Sequence, residues 1–266
     1  MELLFSSMFL YEYDVESIAK ASELSGYDGI EFWVETPHFW IDRREEKLET
    51  IREKILAVHS PVLDLNPVSV NRNLCELTLK ETLYSIDLTK KLNVKVVTIH
   101  AGKRSALREP VWADYASLKN YLRVCSKYSK LKNVILCLEN SEPKVNYLCK
   151  TPEEVLENLK EFNLGFTFDL NHATKNSELN AEGFLDFFNR IENIHVSGYD
   201  SKGRHVSFIG FERIEKLLKT LSEIGYDKKI TVELDDLGLR IGKFNFEKKV
   251  ELLKKEGRYL RKFFRR

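Results

Sequence analysis

The chain carries only four cysteines (Cys75, Cys125, Cys137 and Cys149), with no CxxC pair and no zinc-ribbon spacing among them. That excludes a disulfide scaffold and reads as reduced thiols in a cytoplasmic protein. A long hydrophobic run is also missing: no stretch approaches the roughly 20 apolar residues of a membrane span. The start MELLFSSMFLYEYD has no basic n-region, so no signal peptide is expected. Charge of one sign is not in excess, since 42 Lys and Arg stand against 41 Asp and Glu. Without a basic surplus there is no global pull on nucleic acid, which leaves only local patches. Neither GxGxxG nor GxxxxGK[ST] occurs, and no linker or low-complexity tract interrupts the chain. Dinucleotide and P-loop sites are thereby disfavoured.

What is present is alternation. Short apolar, β-rich runs fall at 2–7, 28–33, 56–60, 94–100, 133–139, 164–169, 192–197 and 229–234. Amphipathic helical patterns lie between and after them, at 14–25, 44–55, 78–92, 113–130, 152–161, 181–189, 211–224 and 246–263. Thr151-Pro152-Glu153-Glu154 offers an N-cap, a proline at the first helical position and acids in the first turn. Gly225 follows the 211–224 pattern, where a helix-ending glycine is expected. Eight strand–helix units in 266 residues give about 33 residues each, the size of one βα repeat. Near-continuous apolar strands such as VKVVTI suit a parallel sheet covered on both faces. The expected architecture is α/β, a single (β/α)8 TIM barrel, as one domain over 1–266.

The chemistry sits at the strand ends. His59, His100, Glu139, Asp169, His195 and Glu233 each close a strand candidate, and Glu31 lies near the end of a seventh. Thr98 and His100 share strand parity, as do Cys137 and Glu139, Thr167 and Asp169, and Thr231 and Glu233. Each polar residue is therefore the last of an inward-pointing series, and in a (β/α)8 barrel these ends converge. Five of six histidines (59, 100, 172, 195 and 205) fall at or just after strand ends; only His38 lies elsewhere. Several inward carboxylates repel one another unless a cation neutralises them, so a bound divalent metal is expected. Carboxylate and imidazole donors suit Mn²⁺, Zn²⁺, Co²⁺ or Fe²⁺, with no thiolate needed. The basic tail KKEGRYLRKFFRR reads as the wet face of an amphipathic last helix.

The ordered motifs VHSP, TIHAG, LEN, FDLNH, IHVSG and VEL resemble the xylose isomerase-like barrel superfamily. That group holds sugar and sugar-phosphate isomerases and epimerases together with endonuclease IV-like abasic-site endonucleases. Resemblance to the ketose 3-epimerase branch implies one metal on Glu139, Asp169, His195 and Glu233. It also implies Glu139 and Glu233 as the acid/base pair, with His172 and Arg204 holding substrate oxygens. Glu31 and the aromatic residues Phe5, Tyr11 and Trp33, near the first two strand ends, are further candidates to face a sugar. The endonuclease branch uses three zinc ions, and its pattern adds His59, His100, His172 and His205 as ligands. Those enzymes carry an Asp where this chain has Gly203, and HSPVLDLNP looks more like the isomerase side. The expected activity is isomerisation or epimerisation of a small sugar or sugar phosphate through an enediolate. Abasic-site DNA cleavage is the first alternative, and a non-catalytic metal- or sugar-binding barrel is the second.

Overall fold

A computed structural model of the chain describes every residue except Asp42, 177–179 and 265–266, so the last two arginines of the basic tail lie outside it. Ten strands and nine α-helices are present among the described residues. The strands are β1 (Glu2–Ser6), β2 (Gly29–Trp33), β3 (Ile55–His59), β4 (Val96–His100), β5 (Ile135–Glu139), β6 (Gly165–Asp169) and β7 (Ile191–Val196), then the short pair β8 (Gly198–Tyr199) and β9 (His205–Val206), and finally β10 (Lys229–Val232). The helices are α1 (Val15–Ser25), α2 (Pro37–Trp40), α3 (Glu45–Thr50), α4 (Arg72–Lys91), α5 (Trp112–Lys132), α6 (Pro152–Phe162), α7 (Leu170–Thr174), α8 (Glu212–Glu223) and α9 (Phe246–Leu260). The eight longer strands close into a parallel barrel in the order β1-β10-β7-β6-β5-β4-β3-β2. No described helix is long and apolar enough to cross a membrane.

The chain divides into two compact units, Met1–Leu56 with Asn193–Arg266, and Ala57–Glu192. In the first, β1 is central, pairing Phe5 with Val232 of β10 and Ser6 with Glu31 of β2. There β10 sets Thr231 beside His195 of β7. The aromatic ring of Phe5 packs edge-on against Tyr27, whose hydroxyl donates to the Leu253 carbonyl of α9. In the second unit, β3 pairs with β4, β4 with β5 and β5 with β6. Register there puts Cys137 beside Gly165, where any Cβ would come within 2.7 Å of the Cys137 sulfur. Glycine is what lets this thiol fill the barrel interior. The inward parity expected of Thr98 and Thr167 holds, since their hydroxyls meet at 2.9 Å.

Local chemistry explains most boundaries. Asp14 caps α1 by accepting from Ser17 N, and Thr151 caps α6 by accepting from Glu154 N with Pro152 at the first helical position. Gly225 stands at φ +85° just beyond α8, as the helix-ending pattern requires.

Three expectations are adjusted. The 44–55 pattern is only partly helical: α3 stops at Thr50, a 3-10 turn follows, and Ile55, buried and β-branched, already belongs to β3. The 78–92 pattern extends back to Arg72, because the Asn71 side chain accepts from Asn73 N and starts the helix earlier. The 181–189 pattern is 3-10 (Ala181–Arg190) rather than α, with a break at Phe187. Phe184, before that break, and Phe187, at it, both reach Phe166, at ring distances of 5.8 and 5.2 Å.

Candidate metal centre

In the unit of residues 57–192, Glu139 is the centre of a ring of imidazoles. Its carboxylate is 1% exposed and ends β5 directly beside His100 of β4. His100 Nε2 lies 3.0 Å from Glu139 Oε2, His59 Nε2 lies 3.4 Å from the same oxygen, and His172 Nδ1 lies 3.4 Å from Oε1. His59, His100 and Glu139 offer ligand atoms all within 4.8 Å of one another. Asp169 ends β6 and has two jobs. Its Oδ1 accepts from His172 N at 2.7 Å, capping the short helix α7, while Oδ2 faces His172 Nδ1 at 3.5 Å. The turn after Asp169 is therefore what carries His172 inward.

Beside this cluster Glu142 receives hydrogen bonds from the ammonium groups of Lys144 and Lys175. Burial opposes its charge, yet the two lysines hold its carboxyl down at about 2.

The unit formed by 1–56 and 193–266 holds a second set. His195, fully buried on β7, donates from Nε2 to Glu31 Oε2 at 2.9 Å and presents Nδ1 3.5 Å from Glu233 Oε2. His205, on the short hairpin β8–β9, lies 3.2 Å through Nδ1 from both the Glu233 carbonyl and Glu233 Oε2. Gly203 sits at φ +77° in that hairpin's turn, a left-handed position that a side chain such as Asp occupies under strain.

The hydrogen bonds decide which imidazole nitrogen carries a proton. His59 Nδ1 donates to the Ser60 carbonyl at 2.8 Å, and His172 Nδ1 to the Asn140 carbonyl at 2.9 Å. His59 thereby turns the lone pair of Nε2 toward Glu139 Oε2. By the same argument, a neutral His195 that donates from Nε2 to the Glu31 carboxylate turns Nδ1 toward Glu233 Oε2. In each unit an imidazole nitrogen stands close to a buried carboxylate oxygen, 3.4 Å for His59 Nε2 and Glu139 Oε2 and 3.5 Å for His195 Nδ1 and Glu233 Oε2. Oriented imidazoles with tied second nitrogens beside buried carboxylates are what metal ligands require. The donor set fits a divalent metal.

The remaining sequence candidates divide. Trp33 is 2% exposed, its ring tilted against Tyr11 at 5.8 Å, and its backbone N–H donates to Ser7 Oγ. Arg204 donates through Nε to Asp200 at 2.8 Å, and this guanidinium holds the Asp200 carboxyl at about 2. Phe5 is fully buried against Tyr27, in the layer beneath α9. Glu31 is 1% exposed and also accepts from Asn193 Nδ2 at 2.8 Å.

Two residues of the site escaped the sequence reading. Asn193 was one. Asn140 was the other: it ties Asp169 to the end of β5 through both of its amide atoms. Its signal was its place directly after Glu139 in the LEN motif. Asn193 had the parity of His195 as a signal, two residues away on the same strand.

A closed eight-stranded parallel barrel defines a TIM-barrel protein, here with imidazoles and carboxylates at its strand ends that could hold a metal ion. The xylose isomerase-like TIM barrel family matches residues 18–262, and the chain belongs to that family. The uncharacterized protein MJ1188 of Methanocaldococcus jannaschii is 31% identical over 268 residues, covering 98% of each chain. A crystal structure of a D-tagatose 3-epimerase-like protein is similar at 26% identity and TM-score 0.72, covering 98% of this chain and 99% of that one. A putative xylose isomerase from Rhodospirillum rubrum shares the fold at TM-score 0.80 and 16% identity, covering 98% and 99%.

Proposed function

We propose that this protein is a divalent-metal-dependent isomerase or epimerase of a small sugar or sugar phosphate. In this reading both units form one barrel domain, and Glu139, Asp169, His195 and Glu233 together hold one Mn²⁺, Zn²⁺ or Co²⁺ ion. The strands β5, β6, β7 and β10 that carry or precede them are consecutive in the barrel order. The observation that carries the reading is the approach, in each unit, of an imidazole nitrogen to a buried carboxylate, His59 Nε2 to Glu139 and His195 Nδ1 to Glu233. Likeness to a D-tagatose 3-epimerase-like structure at 26% identity supports the sugar class.

When bound, the metal polarises the substrate carbonyl and its neighbouring hydroxyl. Glu139 and Glu233 then act as the acid/base pair, one removing a proton beside the carbonyl and the other returning it from the opposite side. Burial of both carboxylates excludes bulk water from that exchange. His172 and Arg204 hold substrate oxygens, while Tyr11, backed by the buried Trp33, offers apolar surface to the sugar ring.

The test is metal content per chain by elemental mass spectrometry after reloading with Mn²⁺ and Zn²⁺, then a sugar panel in deuterated water. One ion, with deuterium entering a sugar carbon, is expected. Glu139→Gln and Glu233→Gln should each abolish that exchange while keeping the fold; near-normal exchange in both variants rejects the acid/base assignment. A second reading rests on the compact His59, His100 and Glu139 group. A further zinc there would suit phosphodiester cleavage of abasic DNA, and two or three zinc ions per chain with nicking of such a duplex would favour it. A bound sugar with no deuterium exchange and no DNA nicking would leave a binding barrel.

A further inference from the structure

We propose that Glu31 is a positioning residue, which locks His195 in the Nε2–H form so that Nδ1 is the nitrogen offered for ligation. The inference rests on the metal reading above for its purpose, but not for its geometry. Glu31 sits near the C-terminal end of β2 and is 1% exposed. A buried carboxylate is costly unless its oxygens receive hydrogen bonds. Glu31 Oε2 receives two, from His195 Nε2 at 2.9 Å and from Asn193 Nδ2 at 2.8 Å. Asn193 is held in turn, because its Oδ1 accepts from the Thr231 hydroxyl at 3.2 Å. Asn193 and His195 are two apart on β7, so both point to the same side of the strand. The result is a buried chain, Thr231 to Asn193 to Glu31, that ends on the back of the His195 ring.

His195 is turned the opposite way from three of the other imidazoles, and like His100 it meets a carboxylate through Nε2. His59, His172 and His205 are tied through Nδ1 to nearby backbone carbonyls. Backbone carbonyls reach Nδ1 readily because it lies close to the main chain. Nε2 points away from its own backbone, so tying it needs a side chain from another strand, and Glu31 comes from 164 residues away. Without that acceptor, the neutral ring can carry its proton on Nδ1 instead, and the nitrogen facing Glu233 becomes a donor rather than a ligand.

The experiment reads the proton directly. Long-range proton–nitrogen spectra of ¹⁵N-histidine-labelled, metal-free protein are recorded at alkaline pH, where imidazole is neutral, and Mn²⁺ affinity is measured against a competing chelator. Wild-type His195 should be the Nε2–H form. Glu31→Leu should lose that form and weaken Mn²⁺ by roughly 10–100-fold, while Glu31→Gln, whose amide oxygen still accepts, stays close to wild type. Should Glu31→Leu not fold, Glu31→Asp, one methylene short of the ring, gives the same readout. An unchanged tautomer and Mn²⁺ affinity in the Leu or Asp variant overturns the proposal, as does an Nδ1–H ring in the wild type. A wild-type protein that shows the Nε2–H ring, loses it in the Leu variant and binds no Mn²⁺ rejects the metal reading and supports the role of Glu31.

Discussion

Asn140 grips the backbone of Asp169 from both sides, accepting from its N–H at 2.8 Å and donating to its carbonyl at 2.9 Å. The Asn140 carbonyl also accepts from His172 Nδ1. One residue after Glu139 thus fixes the position of a second carboxylate and the tautomer of an imidazole. Replacing Asn140 with Ala strands the buried N–H and C=O of Asp169, at about 1–3 kcal/mol for each group. The variant should unfold at lower urea and bind Mn²⁺ more weakly. Wild-type values for both would show that the clamp has no such role.

Lys249 is fully buried on α9, with its ammonium 2.7 Å from the Phe9 carbonyl, 2.8 Å from Glu12 and 2.9 Å from Asp236. It joins the segment after β1 to the segment after β10. Burial pushes the Asp236 carboxyl up, and Lys249 pulls against that rise. Lys249→Met removes the cation and leaves two acids crowded together, a loss of about 3–5 kcal/mol. Adding Glu12→Gln and Asp236→Asn should recover part of it. A loss below about 1 kcal/mol in urea melts would contradict the pairing.

Acid should expose the Glu142 cluster. The Glu142 carboxyl lies at about 2 in the folded protein against 4.5 as its ordinary value. A depressed folded value contributes stability above pH 4.5, which drains away as pH falls toward 2. The contribution is at most about 3 kcal/mol. Glu142→Gln should therefore lower the Tm at neutral pH, with the gap to wild type closing across that acid window. A gap that is constant with pH would place the stabilisation elsewhere.

Much of the fold was legible because its signals are local. Strand parity placed Thr98 and Thr167 on one side, and their hydroxyls meet there. Thr151-Pro152 started α6 and Gly225 followed α8, since capping depends on a few adjacent residues. The 3-10 turn at Ala181–Arg190 was not legible, because its geometry follows from where Phe166 lies and not from its own periodicity. Glu31 looked from its strand-end position like a residue for substrate. In the structure its Oε2 accepts from His195 and Asn193, partners more than 160 residues distant in sequence.

Residue types and their spacing are enough to specify the repeating β/α order, the inward parity of the strands and the carboxylates and imidazoles at their ends. These depend on residue type and short-range spacing, which period-two strands and amphipathic helices express directly. Tertiary contacts set what each group meets: Asp169 caps α7 while facing His172, and His195 meets Glu31 through Nε2 where His59 meets the Ser60 carbonyl through Nδ1. The reason is that an imidazole's proton goes to whichever acceptor the fold brings to it, and that acceptor is chosen by contacts between distant strands.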